Sequence, residues 1–172
     1  MAKDAKSAFC EDSRVKFPTL MHLMRMGFKY ISLKGLKTKY VEAPKTEFDP
    51  LTNILTDYFT DAYCTLNPNS EKKDAEEMLA KIRKSLQNDD LGRQFYNEIL
   101  LNTGERIIDL SSPVNFYKNN TFQVTTEMTC GTKDSDNYRP DITIFVNGLP
   151  LAFIEVKNCL LYTSPSPRDS TS

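Results

Sequence analysis

Asp141, Glu155 and Lys157 are three charged residues set at the ends of an otherwise apolar stretch, Tyr138 to Asn158, reading YRPDITIFVNGLPLAFIEVKN. Two convergent carboxylates are the oxygen ligands that a hard cation such as magnesium prefers, with positions left for water and a phosphate oxygen. A neighbouring lysine can orient the attacking water and offset charge on the phosphate as it becomes pentavalent. Pro-Asp, a spacer and Glu-x-Lys is therefore a pattern for metal-dependent phosphodiester hydrolysis. It is also a short pattern. The plain alternative is that Asp141 caps a turn after Pro140 while Glu155 and Lys157 pair on the surface. Placement favours the chemistry, because these groups sit at the mouth of two buried strands and not in a polar loop.

Those strands must position the three residues. Ile142–Val146 and Leu151–Ile154 are apolar runs too short for helices and too apolar for half-exposed strands, so they read as two central strands covered on both faces. Asn147-Gly148 between them is a strong hairpin signal. Side chains alternate along a strand, so Glu155 and Lys157 share a face. A two-residue loop would pair Asp141 with Ile154 and put Glu155 on the opposite face. A three-residue loop, Val146-Asn147-Gly148 with Gly148 left-handed in a bulge, brings all three charges together. Burying unpaired charges beside Phe145 and Phe153 is costly, so the odd-length loop is expected, with Ile142, Ile144, Ala152, Ile154 and Val156 on the other face.

The segment RPDITIFVNGLPLAFIEVKN closely resembles the nuclease motif of the R (restriction) subunit of type I restriction-modification enzymes, in the PD-(D/E)xK nuclease superfamily. The resemblance continues upstream through EDSRVKFPTLMHLMRMGFKYISLKG and NTFQVTTEMT and covers most of residues 11 to 158. It implies a restriction-endonuclease-like fold, a mixed α/β (α+β) sheet with flanking helices, truncated at its C-terminal side. It also implies that Asp141 and Glu155 bind Mg2+ and that Lys157 positions water and phosphate. Glu11 becomes a candidate outer ligand or water holder, against the ordinary role of an acid favoured at a helix start. The implied partners are double-stranded DNA and the modification and specificity subunits, with ATP used by a motor region outside this chain. No GxxxxGK[ST] loop occurs here, and the family's further helix with its Gln-x-x-x-Tyr motif is absent, so the fragment alone is expected to be inactive. A reading of another class is a non-catalytic DNA-binding or assembly module in which the motif is structural.

Composition bounds these readings. A chain of 172 residues with 40% hydrophobic content is about one domain and can bury a core. Its net charge of -1 lacks the basic balance of a DNA-binding domain, so DNA contact needs a local patch such as Lys29, Lys34, Lys37 and Lys39, unless these form an ordinary solvated face. No apolar run of membrane-spanning length and no signal peptide occurs, which reads as a cytoplasmic protein without a membrane partner. Cys10, Cys64, Cys130 and Cys159 show no metal-ligand spacing and read as reduced thiols. His22, among Leu20, Met21, Leu23 and Met24, reads as a helix residue and not a base.

Taken in order, Asp12 or Ser13 can cap a helix packing Phe17, Leu20, Met21 and Met24 into the core, ended by Gly27. Phe28–Leu33 alternates like a strand. Asp49-Pro50 opens a helix with Leu51, Ile54, Leu55, Tyr58, Phe59, Ala62 and Leu66 at helical spacing. A second follows Asn67–Ser70, with a stripe of Ala75, Met78, Leu79, Ile82 and Leu86, and a third starts at Asp89 or Asp90 with Leu91, Phe95 and Ile99 inward. After Gly104 the period shortens to two. Glu105–Leu110 and Thr121–Thr129 read as strands, Ser111–Pro113 and Lys118–Asn120 as loops, and the whole as helices followed by an antiparallel meander. The organisation expected is an incomplete nuclease domain over residues 1–158 and a disordered, non-native tail over 159–172. That tail, CLLYTSPSPRDSTS, resembles the translation of a sequencing-library adaptor.

Overall fold

A computed structural model describes residues 15–32, 48–49, 51–88, 90, 92–101, 104–129 and 138–157. Glu11, Lys34, Lys37, Lys39, Leu91 and the tail from 159 onward lie outside the described residues. The central sheet holds four strands: β1 (Lys29–Tyr30), β2 (Phe122–Thr126), β3 (Ile142–Val146) and β4 (Leu149–Ile154), in the order β1-β2-β3-β4. β1 runs parallel to β2, and β2, β3 and β4 form the antiparallel meander. With helices on both faces this is the mixed α/β sheet that the residue pattern implied. Among the described residues no helix is long and apolar enough to cross a membrane.

α1 (Phe17–Arg25) covers one face of the sheet: Leu20, with Val15, Leu23 and Phe28, packs on Val124, Ile142, Ile154 and Val156. On the opposite face Phe145 is buried with Ile31, Leu55 and Met128, beside Tyr58. α2 (Thr56–Leu66) and α3 (Lys72–Ser85) then join through Phe59, Tyr63, Ala75, Met78, Leu79 and Ile82 into a cluster that reaches Val146 and Leu149. Burying Phe145 and Phe59 completely contributes roughly 2–3 kcal/mol each. β3 is thus central and covered on both faces, as expected. β4 is not. Among the described residues it is an edge strand, and Leu151 and Phe153 are 44% and 47% exposed.

Several elements differ from the reading of the sequence, each for a physical reason. The helix expected from Pro50 starts only at Thr56, because the Asp49 side chain accepts bonds from the Leu51 N–H and the Thr52 hydroxyl while Asn53 turns left-handed at φ 58°. Asp49 then pairs with Arg83 Nε at 2.6 Å, tying that turn to α3. Residues 105–110 form no strand. Ile107 and Ile108 are buried there, but the backbone bonds to asparagine side chains: Asn67 brackets Arg106, and Asn120 takes Asp109. A short helix, α4 (Pro113–Asn119), takes in Pro113, Lys118 and Asn119 of the two expected loops; it is capped by Ser112, whose side chain accepts from the Asn115 N–H, with Pro113 at its first position. On α1, Phe17, Met21 and Met24 are 61%, 47% and 44% exposed and are not core, since the buried arc is centred on Leu20 and Leu23. Among the described residues of the strand expected over Phe28–Leu33, the ladder pairs Lys29 and Tyr30, and the Ile31 N–H still donates to the Val124 carbonyl at 2.9 Å. The third helical segment is a π-helical turn, Phe95–Leu100, entered from Asp90, whose carboxylate accepts from the N–H groups of Gly92 and Gln94.

Candidate active site

The hairpin turn decides where the charges point. Val146 pairs with Leu149, so the loop has two residues, Asn147 (φ 51°) and Gly148 (φ 77°), both left-handed as a tight primed turn requires. The expected three-residue loop is therefore absent. The register instead slips further along, where Phe145 faces Pro150 but Ile144 faces Ala152, leaving Leu151 as the extra residue of a bulge in β4. One inserted residue changes the parity as an odd loop would. Ile142 pairs with Ile154, and one step beyond brings Asp141 opposite Glu155. Val156, buried against Leu20 and Ile142, fixes the alternation, so Glu155 and Lys157 leave on the side opposite α1.

The tight loop is itself dictated by its neighbours. A Cβ on Gly148 would lie 2.5 Å from the Leu55 carbonyl and 2.9 Å from the Phe59 nitrogen, so α2 can begin against this turn only if residue 148 lacks a side chain. The Gly148 carbonyl in turn accepts from the Leu55 N–H at 2.9 Å. Asn147 is fully buried. Its side chain donates to the Ile107 carbonyl at 2.9 Å and to Asn120 Oδ1 at 2.8 Å, and accepts from the Thr121 N–H at 2.8 Å. The polar cluster continues to Asp109, whose carboxyl is held down to about 2 by hydrogen bonds from the Ser111 hydroxyl, Asn119 and the Ser111 N–H. This end of the hairpin is a rigid anchor, and the open end carries the charges.

At the open end Asp141 Oδ2 accepts from the Val156 N–H at 2.9 Å, which clamps the first acid between Glu155 and Lys157. That backbone bond is the largest influence holding Asp141 below the ordinary carboxylate range; partial burial opposes it, and the charges of Lys16 and Lys157 add to it. Asp141 Oδ1 lies 3.3 Å from the Lys16 ammonium, which also bonds Glu127 Oε1 at 3.1 Å. Glu127 is paired on its other oxygen with Arg139 and sits at φ 54°, held there by its N–H donating to the Asp141 carbonyl and its carbonyl accepting from Arg139 Nε. Glu155 is exposed and accepts at Oε1 from the Tyr138 hydroxyl at 2.7 Å. The Tyr138 ring stands edge-on against Phe153, 5.9 Å between centroids. Lys157 is exposed.

Asp141 is tied to the backbone between Glu155 and Lys157, while Glu11 falls outside the described residues. Lys16, Glu127, Tyr138 and Arg139 belong to the same cluster and were not singled out in the sequence. Tyr138 and Arg139 immediately precede the Pro-Asp pair. Lys16 carries no local signal, being 111 residues from Glu127. Among the described residues no group of three or more His, Cys, Asp or Glu side chains gathers to hold a metal. What the site offers is two oxygen donors, one kept ionised and one exposed to solvent, a set that fits a hard cation still carrying water. Of the four lysines considered as a basic patch, Lys29 is described, and its ammonium lies 5.1 Å above the Tyr58 ring. Cys64 is a free, half-buried thiol, and His22 is an exposed residue of α1.

The fold is a mixed α/β sheet with flanking helices, with an Asp and a Glu-x-Lys at the open end of one hairpin. The chain belongs to the family described as the type I restriction enzyme R protein N terminus, whose profile matches residues 9–164. Neither the curated proteins nor the solved structures contain a match to it.

Proposed function

We propose that this domain is the Mg2+-dependent endonuclease of a type I restriction enzyme R subunit, cutting double-stranded DNA within an ATP-driven complex that includes modification and specificity subunits. Its place of work is the cytoplasm, where that DNA lies. The observation that supports this reading is the hydrogen bond from the Val156 N–H to Asp141, which ties one acid to the backbone between Glu155 and Lys157. Asp141 and Glu155 are the residues that would hold the cation. Magnesium, when bound, supplies positive charge to a phosphate oxygen and makes bound water more acidic. Lys157 donates to the scissile phosphate and to the attacking water, and Tyr138 keeps the Glu155 carboxylate turned toward the site. The exposed aromatic pair Tyr138 and Phe153 leaves this mouth open to a duplex.

The direct test is a calorimetric titration of the chain with Mn2+, used as a stand-in for magnesium. Binding is expected, and Asp141→Ala should weaken it by at least about 100-fold, since removing a ligand should exceed the 10–100-fold effect of losing a supporting group. Unchanged binding in that variant would favour the assembly-module reading instead. A finer expectation concerns Tyr138→Phe, which removes one hydroxyl and keeps the ring against Phe153. Mn2+ affinity should fall about tenfold with the melting temperature nearly unchanged. If both stay at their original values, Tyr138 does not orient the second acid.

A further inference from the structure

The two oxygens of Asp141 have different partners, and the difference suggests different duties. Oδ2 is held by the backbone N–H of Val156, two residues past the end of β4 and buried against Leu20 and Ile142. Oδ1 faces an ammonium on a flexible side chain, Lys16, placed just before α1. Lys16 is only 13% exposed, so its charge is largely desolvated and depends on the carboxylates around it. Glu127, which Lys16 also pairs with among the described residues, has a second cation in Arg139 and would not be left uncompensated if Lys16 moved away. Asp141 would then keep its Val156 bond at Oδ2, while Oδ1 would be released from Lys16.

From this we infer that Lys16 is a positioning residue of the site: an internal counter-cation that holds Asp141 Oδ1 until a divalent cation takes its place. The inference rests on the nuclease reading above, and it deepens that reading by assigning a residue outside the Asp…Glu-x-Lys motif. A like charge beside a ligand oxygen opposes cation binding, so Lys16 weakens the site's affinity while keeping its acids in place without metal. Lys16 then has to move when metal enters, and its ammonium becomes more accessible.

Two measurements test this on the full chain. In Mn2+ calorimetry, Lys16→Met should bind about tenfold more tightly than the original protein, the size of the change one adjacent unit charge makes to an ionisation equilibrium. Lys16→Arg, which keeps the charge, should stay within about twofold. Equal or weaker binding by Lys16→Met overturns the inference. In the second measurement, which needs no variant to fold, lysines of the unaltered protein are acetylated with and without Mn2+ and read by mass spectrometry. Labelling of Lys16 should rise several-fold on Mn2+ addition while that of Lys73, exposed on α3, stays constant. Unchanged Lys16 labelling also overturns the inference. Asp141→Ala separates the two levels: if it binds Mn2+ as well as the original protein, the site reading fails and takes Lys16 with it. If it loses binding while both Lys16 results are negative, only the role of Lys16 fails.

Discussion

Replacing Glu155 by alanine in an R protein carrying this domain is expected to lower DNA cleavage by at least about a thousandfold, while ATP hydrolysis stays within about twofold. Lys157→Ala should behave the same way. Both side chains are exposed at the open end of the hairpin, so neither supports the core, and their removal should change stability by about 0.5 kcal/mol or less. The loss is therefore predicted to be chemical. A cation ligand and a phosphate donor act on charge that develops during phosphodiester hydrolysis. ATP hydrolysis needs its own phosphate cradle, and this chain contains no GxxxxGK[ST] loop to provide one. Cleavage of a plasmid carrying the recognition site and phosphate release from ATP can be followed in the same preparation. Parallel loss of both activities, with a lowered melting temperature, would identify these residues as structural.

Asn147→Ala is expected to destabilise the domain by about 4 kcal/mol, close to the whole net stability of a small domain. The Asn147 side chain satisfies the Thr121 N–H, the Ile107 carbonyl and Asn120 Oδ1, all at 2.8–2.9 Å in a buried setting. An alanine removes the side-chain partner of the buried Thr121 N–H and Ile107 carbonyl, at roughly 1–3 kcal/mol for each group left unsatisfied, some of it relieved by relaxation, while Asn120 Oδ1 keeps the Asp109 N–H. Alanine also fits poorly at φ 51°, which costs about 1 kcal/mol more. Asn147→Gly should recover that last part and nothing else. Urea unfolding of the three proteins would show midpoints in the order Asn, Gly, Ala. An unchanged midpoint for Asn147→Gly would mean that the asparagine network contributes little.

The second result bears on how the site is held. Asn147 links the hairpin to residues 107, 120 and 121, and Gly148 lets α2 begin directly against it. The charged end of the hairpin lies at its far end. A loosened anchor should therefore reach Asp141 and Glu155 through β3 and β4, although no polar contact joins the two ends among the described residues.

Much of this architecture was legible in the chain because it depends on short-range pattern. Apolar runs of strand length around Asn147-Gly148 specify a hairpin, and alternation places Glu155 and Lys157 together whatever else happens. The stripes on α2 and α3 are buried at Phe59, Ala62, Ala75, Met78, Leu79 and Ile82 as their spacing demands. The odd-length loop expected to set Asp141 opposite Glu155 does not form, and the change of register comes from another device. Parity needs one extra residue, and a bulge at Leu151 supplies it as well as a longer turn would. Which of the two occurs was decided by tertiary contact: Gly148 is pressed against the start of α2, and Asn147 is claimed by three buried partners. The same cause explains residues 105–110, strand-like in pattern but bonded to Asn67, Asn120 and Asn147 across 11 to 40 positions of sequence. Lys16 is the extreme case. Nothing local distinguishes it from an ordinary helix-start lysine, and only the packing of α1 on the sheet carries its ammonium to Asp141. Periodicity records which face of an element is buried, whereas hydrogen bonds and ion pairs between distant side chains exist only once the elements have met.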